Sequence, residues 1–172
     1  MSASPFAAPV TFLPMHRPNA CGPCTLCCKV FGIRDIDLIK PKDVWCPHAT
    51  KGQGCGIYAD RPASCREFTC LWLHGNMDAS LRPDKIHGVL STTVDGENLV
   101  LHEDAGWPGH ARLALRRFID DFTRSGERFA VVVCGNERQL YGTKERLARV
   151  TLRQAEDVID DAVVDEVAST EG

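Results

Sequence analysis

Four cysteines fall within one eight-residue stretch, Cys21-Gly-Pro-Cys24-Thr-Leu-Cys27-Cys28. Residues three apart on a helix or a tight turn lie on one face, so Cys21, Cys24 and Cys27 can direct their thiols at one point. Cys28 points about a third of a turn away on a helix. We therefore predict either a distorted backbone at Cys28, or a role for this thiol in a second site or in a bridge between sites.

The cysteines of this 172-residue chain are concentrated, because eight of the nine lie between Cys21 and Cys70. Residues 1–17 lack the basic start and the apolar run of a secretory signal, and no stretch approaches the ~20 apolar residues of a membrane span. We therefore expect a cytoplasmic protein without a membrane segment. Thiols stay reduced there, and clustered cysteines usually bind metal. A disulfide framework in an exported domain is the alternative.

Eight thiols match two tetrahedral metal sites. A Zn²⁺ site takes four ligands and needs deprotonated sulfur, so two sites of four thiolates carry a local charge of about −4. Lys29, Arg61 and Arg66 are close in sequence to the cysteines and are predicted to offset part of this charge. His48, in a loop between cysteines, is an alternative ligand.

An iron–sulfur cluster is the competing occupant. The spacing Cys-x₂-Cys-x₂-Cys occurs in bacterial ferredoxins, where the fourth cysteine follows after three residues and precedes a proline. In this chain Cys28 follows Cys27 directly, and Lys29 comes next. Zinc is therefore the first prediction, with iron or an iron–sulfur cluster as the alternative.

Two local predictions concern the segments between the cysteines. Pro62 suits the start of a helix, on which Cys65 and Cys70 would lie roughly 140° apart. These two thiols therefore serve different metals unless the helix is a single turn. The charged residues between positions 34 and 43, including Lys40, are predicted to form a solvated edge.

The second half of the chain has the pattern of an ordinary α+β module. Two β-rich segments, 86–94 and 99–102, flank the hairpin signal Asp95-Gly96. A helix beginning at Pro108 is predicted from apolar residues at helical spacing, which are Ala111, Leu115, Phe118, Ile119 and Phe122.

A second hairpin is predicted after this helix. The run 129–134 has the composition of a buried strand, and Gly135-Asn136 can turn it back. Cys134, at the end of that run, is predicted to be a buried packing residue because free cysteine behaves as a small hydrophobe.

These patterns predict an α+β fold in three parts. An irregular, metal-stabilised cysteine-rich domain covers residues 18–75, and a two-hairpin-plus-helix (ββαββ) module covers 84–150. An acidic helix or tail follows over 151–172, where one arginine stands against seven acidic residues. The apolar stripe of that helix is predicted to dock on the body or on an unknown protein partner. The formal net charge of −3 argues against nucleic acid, which selects a basic surface.

The cysteine pattern also resembles a known family. Over about residues 18–73 the chain reads Cys-x₂-Cys-x₂-Cys-Cys, then Cys-Pro, then Cys-Gly-Ile-Tyr-x₂-Arg-Pro-x₂-Cys-Arg-x-Phe-x-Cys. This is similar to the YkgJ-type CxxCxxCC family, largely bacterial domains described as chelating zinc or iron. Some are attached to a flagellin lysine methylase, which is consistent with iron–sulfur. The resemblance implies that eight cysteines are the metal ligands: Cys21, Cys24, Cys27, Cys28, Cys46, Cys55, Cys65 and Cys70.

Three classes of function follow. The first is a metal-binding module with a structural or chelating role, and the second is an iron–sulfur protein that transfers electrons or senses redox state. The third is an enzyme that uses Arg61, Arg66, His48 or His74 beside the cluster. The sequence offers no activated nucleophile and no paired acid and base, so we predict no catalytic residue. Residues 84–172 resemble no family of known activity.

Overall fold

The structure is a computed structural model that describes residues 19–75, 77–93 and 95–150. We call residues 19–75 the cysteine-rich half. It contains two short helices, two small antiparallel hairpins and a 3₁₀ turn at Leu71–His74. In chain order the helices and strands are α1 (Cys27–Val30), β1 (Ile33–Asp35), β2 (Leu38–Lys40), β3 (Ala49–Thr50), β4 (Gly54–Cys55) and α2 (Ala63–Glu67).

Residues 77–93 and 95–150 form what we call the α+β module. It opens with a 3₁₀ turn at Ala79–Leu81 and contains one long helix among shorter elements. The elements are α3 (Pro83–Ile86), β5 (Gly88–Thr92), β6 (Leu99–Glu103), α4 (His110–Thr123), β7 (Ala130–Cys134), β8 (Glu137–Tyr141) and α5 (Lys144–Leu147).

The four strands of the module form one sheet in the order β5-β6-β7-β8. The outer pairs are antiparallel hairpins, whereas the central strands β6 and β7 are parallel. Parallel neighbours need a long crossover connection, and α4 supplies it. The element order β5, β6, α4, β7, β8 is the ββαββ order expected from sequence.

The main core lies between α4 and one face of this sheet. Strand alternation directs Leu99 and Leu101 of β6 toward the helix, together with Leu90 and Val132 from the neighbouring strands. Ala111, Leu115 and Ile119 of α4 cover them, as the helical spacing predicted. The opposite face buries Val100, Phe129, Val131 and Val133.

A close approach between β5 and α4 depends on Gly88. A Cβ placed on this glycine would lie 2.3 Å from the Cβ of Ala111, a separation that real carbon atoms do not reach. The small residues at these two positions therefore let the helix pack directly on the strand backbone.

The cysteine-rich half packs against β5 and β6 of the module, on the face of the sheet opposite α4. Val89 of β5 joins a buried cluster with Leu26, Val30 and Leu73. The ring of Phe31 meets His102 of β6 edge-on, with 4.6 Å between ring centroids. An ion pair and a hydrogen bond also join the cysteine-rich half to the module. Lys29 Nζ lies 2.5 Å from Asp104 Oδ1, and Lys42 Nζ donates to the carbonyl of Gly135 at 2.5 Å.

The mixed α+β class is confirmed, and several boundaries are corrected. Ile86 belongs to α3 rather than to a strand, because Pro83 starts a helical turn there and His87 ends it with a left-handed backbone. The helix predicted from Pro108 begins at His110. Cys134 is only half-buried, because it ends its strand at the rim of the sheet. The predicted acidic helix at 151–172 lies outside the described residues.

None of the helices in the described part of the chain is long and apolar enough to cross a membrane.

Candidate metal centre

The densest cysteine segment folds as a turn followed by a helical turn. The amide of Cys24 donates to the carbonyl of Cys21 at 2.9 Å, and the amide of Cys28 donates to Thr25 at 3.0 Å. Helix α1 then begins at Cys27. Leu26, buried to 4% exposure, anchors the segment against Val89 of the sheet. The apolar residue between the cysteines therefore fixes the direction in which the thiols face.

Four of the cysteines gather on the sheet side, and we call them the first cysteine group: Cys21, Cys24, Cys27 and Cys70. Cys70 is buried among the apolar residues under α1, and the other three pack against the same cluster. Burial raises the pKa of Cys24 to about 11, and it also raises the pKa of Cys70. Charging these thiols therefore requires a compensating cation.

The remaining four form the second cysteine group: Cys28, Cys46, Cys55 and Cys65. Cys46 is buried beside Cys28 and Cys65 under the β1–β2 hairpin, and its amide donates to the carbonyl of Cys28 at 2.9 Å. Strand pairing sets Cys55 of β4 opposite Ala49 of β3, which follows Cys46 closely in the chain. The electrostatic neighbours of both Cys55 and Cys65 include Cys28 and Cys46.

The glycine before Cys55 allows this part of the chain to pack closely against the Cys21–Cys28 segment. Gly54 has φ +124°, and a Cβ at this position would lie 3.0 Å from the carbonyl oxygen of Gly22. The loop carrying Cys55 therefore approaches the Cys21–Cys28 segment backbone to backbone, which a side chain would prevent.

Helix α2 is a single short helix that separates Cys65 from Cys70. It ends at Glu67, after which Phe68 is extended. A hydrogen bond of 2.6 Å from Ser64 Oγ to Asp35 Oδ2 ties the helix to the β1–β2 hairpin. Cys65 consequently lies with the other thiols of the second group, whereas Cys70 lies with the thiols of the first group. The helix therefore ends between Cys65 and Cys70, which is one of the two alternatives that the sequence left open.

The two groups meet at Cys27 and Cys28. Their side chains form a hydrogen bond that raises the pKa of Cys27 and lowers the pKa of Cys28 to about 7. A cavity of about 370 Å³ opens beside them and is lined by seven of the eight cysteines, Cys70 being the exception. The thiols of both groups therefore border one shared space.

The thiols of each cysteine group lie near one another, but they are not arranged as the coordination sphere of a metal ion. Within residues 19–75, 77–93 and 95–150, no three His, Cys, Asp or Glu side chains are arranged to hold a metal ion. Tetrahedral zinc with bonds near 2.3 Å sets its sulfurs about 3.8 Å apart. Binding would therefore require the thiols to rotate inward, which the cavity between the groups allows.

The side chain of Lys40 is buried, whereas the sequence predicted that the charged residues between positions 34 and 43 form a solvated edge. It is 3% exposed, because alternation along β2 directs Leu38 and Lys40 inward and leaves Ile39 outside. Its ammonium donates to the carbonyls of Lys29 at 3.0 Å, Pro41 at 2.9 Å and Val44 at 2.6 Å. All three of its protons are thus engaged.

Thiols of the second group and one carboxylate are the electrostatic neighbours of Lys40. They are Cys46, Cys28, Asp43 and Cys65. The ion pairs among the described residues do not include Lys40. Sequence reasoning missed this residue, although period-two alternation from Leu38 was the signal that could have identified it.

The three cations predicted to offset the thiolate charge have different partners in the structure. Arg61 lies near the second group, where its charge acts on Cys28 and Cys55. Its guanidinium rests 3.6 Å over the ring of Tyr58, and its Nε donates to the carbonyl of that residue. Lys29 instead pairs with Asp104 of the sheet. Arg66 is exposed and donates to the carbonyl of Arg61 at 2.8 Å.

His48 and Cys134 do not belong to either cysteine group. His48 is exposed, and its contribution to the loop is a backbone carbonyl that accepts from the amide of Gly56. Cys134 lies at the rim of the sheet, where Glu103, Arg112 and Asp43 are its electrostatic neighbours.

Comparison of the chain with protein-family models, curated proteins and solved structures gives no match. The resemblance to the CxxCxxCC family stays a prediction from the cysteine pattern.

Proposed function

We propose that this chain is a metal-binding protein whose eight cysteines hold zinc in a structural or chelating role. The two cysteine groups each supply four thiols, the ligand number of a closed zinc site. The metal would stabilise the cysteine-rich half, whose two-residue and three-residue strands bury little apolar surface of their own.

The observation that carries the proposal is the buried ammonium of Lys40. An isolated buried charge costs several kcal/mol unless a partner of opposite sign lies close by. The electrostatic neighbours of Lys40 are Cys46, Cys28 and Cys65 of the second group together with Asp43, and the ion pairs among the described residues do not include Lys40. Thiolates at Cys28, Cys46 and Cys65 would supply the missing negative charge, and metal binding is what keeps buried thiols deprotonated. The donor set and its surroundings therefore fit a thiophilic cation.

An iron–sulfur protein that transfers electrons or senses redox state is the second candidate. The observation that favours it is the shared cavity of about 370 Å³, which touches thiols of both groups. A cluster of several iron and sulfide ions fills such a space more fully than two separate ions. Contact between Cys27 and Cys28 also brings the groups close enough to bind one cluster.

Purification of the full chain without oxygen tests both candidates. We expect two zinc ions per chain by elemental analysis and no visible absorption, since Zn²⁺ is d¹⁰. Stoichiometric iron with visible absorption bands would replace the first candidate with the second. Protein without stoichiometric metal, still folded, would contradict both.

The proposal also includes a cellular compartment and a site of contact for a protein partner. Metal-bound thiols persist in the reducing cytoplasm, which is the compartment we propose. The acidic segment 151–172 is the proposed contact for a protein partner, because its charge is strongly negative and its apolar residues recur at helical spacing.

A further inference from the structure

Two histidines and one tryptophan form a cluster at one end of the sheet of the α+β module. Strands β5 and β6 pair antiparallel, so the residue before β5 and the loop after β6 lie at the same end. The amide of Asp104 in this loop donates to the carbonyl of His87 at 2.9 Å. The loop then carries Trp107 and leads to His110, the first residue of α4. Strand pairing therefore brings together two imidazoles that are distant in the sequence.

The three rings of this cluster are in contact. The ring of His87 is stacked on Trp107, with 4.3 Å between centroids and an angle of 14° between the planes. His110 is edge-on to both, with its centroid 5.1 Å from that of Trp107 and 5.6 Å from that of His87. Stacking engages the face of an imidazole, whereas its two nitrogens lie on the ring edge. The stack therefore restricts the orientation of His87 without covering its nitrogens.

The backbone holds both histidines in place at the surface. His87 ends α3 with a φ of +57°, a left-handed conformation that few residues other than glycine adopt. His110 follows Gly109, whose φ is +83°, and its amide donates to the carbonyl of Trp107 at 3.3 Å. Trp107 is 48% exposed, His110 is exposed and His87 is partly exposed. A dissolved ion can therefore reach both imidazoles.

We propose that His87 and His110 together bind a divalent first-row transition-metal ion beside Trp107. Imidazole is a ligand for Zn²⁺, Ni²⁺ and Cu²⁺. With metal–nitrogen bonds of about 2.0–2.1 Å, the centroids of two imidazoles on one ion lie roughly 4.5–6 Å apart. The 5.6 Å between these two centroids falls in that range. The rings can therefore direct one nitrogen each at a shared ion by reorienting in place, without a shift of the backbone.

The remaining coordination positions belong to water. Asp104 is close in the chain, but its Oδ1 already accepts from Lys29 Nζ at 2.5 Å and from the amide of Gly106 at 2.8 Å. In the described part of the chain, no group of three His, Cys, Asp or Glu side chains is arranged to hold an ion. A site of two imidazoles and water is open, so its ion exchanges with solution. The inference does not depend on the proposed function, because neither histidine belongs to a cysteine group.

Titration with Ni²⁺ tests the site on the full chain purified without oxygen. A paramagnetic ion bound beside an indole quenches its fluorescence, so we expect saturable quenching with one ion per chain. Trp107→Phe should remove this quenching, while equilibrium dialysis still finds the ion bound.

Two ligand variants separate metal binding from ring packing. His87→Asn removes the imidazole and keeps a residue that tolerates the left-handed backbone. His110→Phe keeps an aromatic ring but has no nitrogen. Each should weaken Ni²⁺ binding at least about tenfold, since even the loss of a group that supports a ligand costs 10–100-fold in metal affinity. His48→Asn, in an exposed loop of the cysteine-rich half, is the matched control and should bind Ni²⁺ as the parent does.

Each other result overturns the proposal. Unchanged Ni²⁺ affinity in both His87→Asn and His110→Phe shows that the pair is not a ligand set. Weaker binding in only one of them reduces the site to a single surface imidazole. Quenching that persists in Trp107→Phe, or a parent chain without saturable quenching, shows that no ion binds beside Trp107.

Discussion

His102 provides a pH-dependent test of how the cysteine-rich half packs on the sheet. It is 3% exposed on β6, its ring meets Phe31 edge-on, and its Nδ1 is buried without a hydrogen-bond partner. Burial, with a smaller contribution from Lys42, lowers the pKa of His102 to about 3. The imidazole is therefore neutral in the folded protein at pH 5, whereas in the unfolded chain it is mostly protonated, since its usual pKa is about 6.5.

The sign and size of the effect follow from this difference. A histidine whose folded pKa lies below its unfolded pKa leaves stability intact above about pH 6.5 and reduces it as the pH falls toward 3. Between pH 7 and pH 5 the unfolded state gains about 2 kcal/mol from protonation of this one residue. His102→Leu removes that gain. The parent should therefore lose about 2 kcal/mol more than the variant over this pH range.

Urea unfolding at pH 7 and pH 5 measures the difference, with zinc-replete protein under nitrogen. Thiol protonation weakens metal binding equally in parent and variant, so the difference between them isolates His102. His48→Leu, in an exposed loop, controls for the loss of one imidazole and should keep the parent's pH dependence. Equal losses in the parent and in His102→Leu would refute the buried, neutral imidazole.

Three further predictions test the fold and the thiols. Gly88→Ala should lower the free energy of unfolding by roughly 1–3 kcal/mol through overpacking against Ala111, and Ala111→Gly in the same chain should restore part of it, as measured by urea unfolding. Cys28→Ser and Cys24→Ser should each lower metal per chain by part of the total, measured by elemental analysis; complete loss in both variants would contradict two separate sites. Chelator treatment should expose the cysteine-rich half to protease while the α+β module stays protected, and mass spectrometry of the fragments checks this; equal protection of both would contradict metal-dependent folding.

The α+β module was predictable because its signals are local. Asp95-Gly96 and Gly135-Asn136 mark hairpins, and the apolar spacing from Ala111 to Phe122 marks a helix that the structure contains. The error at Ile86 has a local cause as well. Pro83 opens one helical turn before the strand, and a single turn has too few residues to show helical periodicity.

The cysteine-rich half was harder to predict, because its elements are two to five residues long and its contacts join distant parts of the chain. Spacing placed Cys27 with Cys21 and Cys24, and the packing agrees. It could not tell that Cys70 returns to this group, because that depends on the chain leaving α2 after Glu67. Metal binding by either group stays a prediction.

Strand β2 shows most clearly why composition misleads here. Ile39 is 80% exposed, whereas Lys40 is buried. Hydropathy alone would predict a buried Ile39 and an exposed Lys40. In a strand, however, only alternate residues face the core, and because Leu38 faces inward, Lys40 does as well. The ammonium is acceptable inside because three carbonyls and a set of thiols surround it. Neither feature is visible in the sequence near Lys40.

X-ray absorption at the zinc edge, measured on anaerobically purified protein, reports the number and kind of atoms bound to the metal. If eight cysteines hold two zinc ions, the average zinc has four sulfur neighbours at about 2.3 Å and no nitrogen or oxygen ligand. Cys65→Ser and Cys70→Ser should each leave one such site intact. A parent spectrum dominated by nitrogen or oxygen ligands would contradict the claim that the eight thiols form the metal centre.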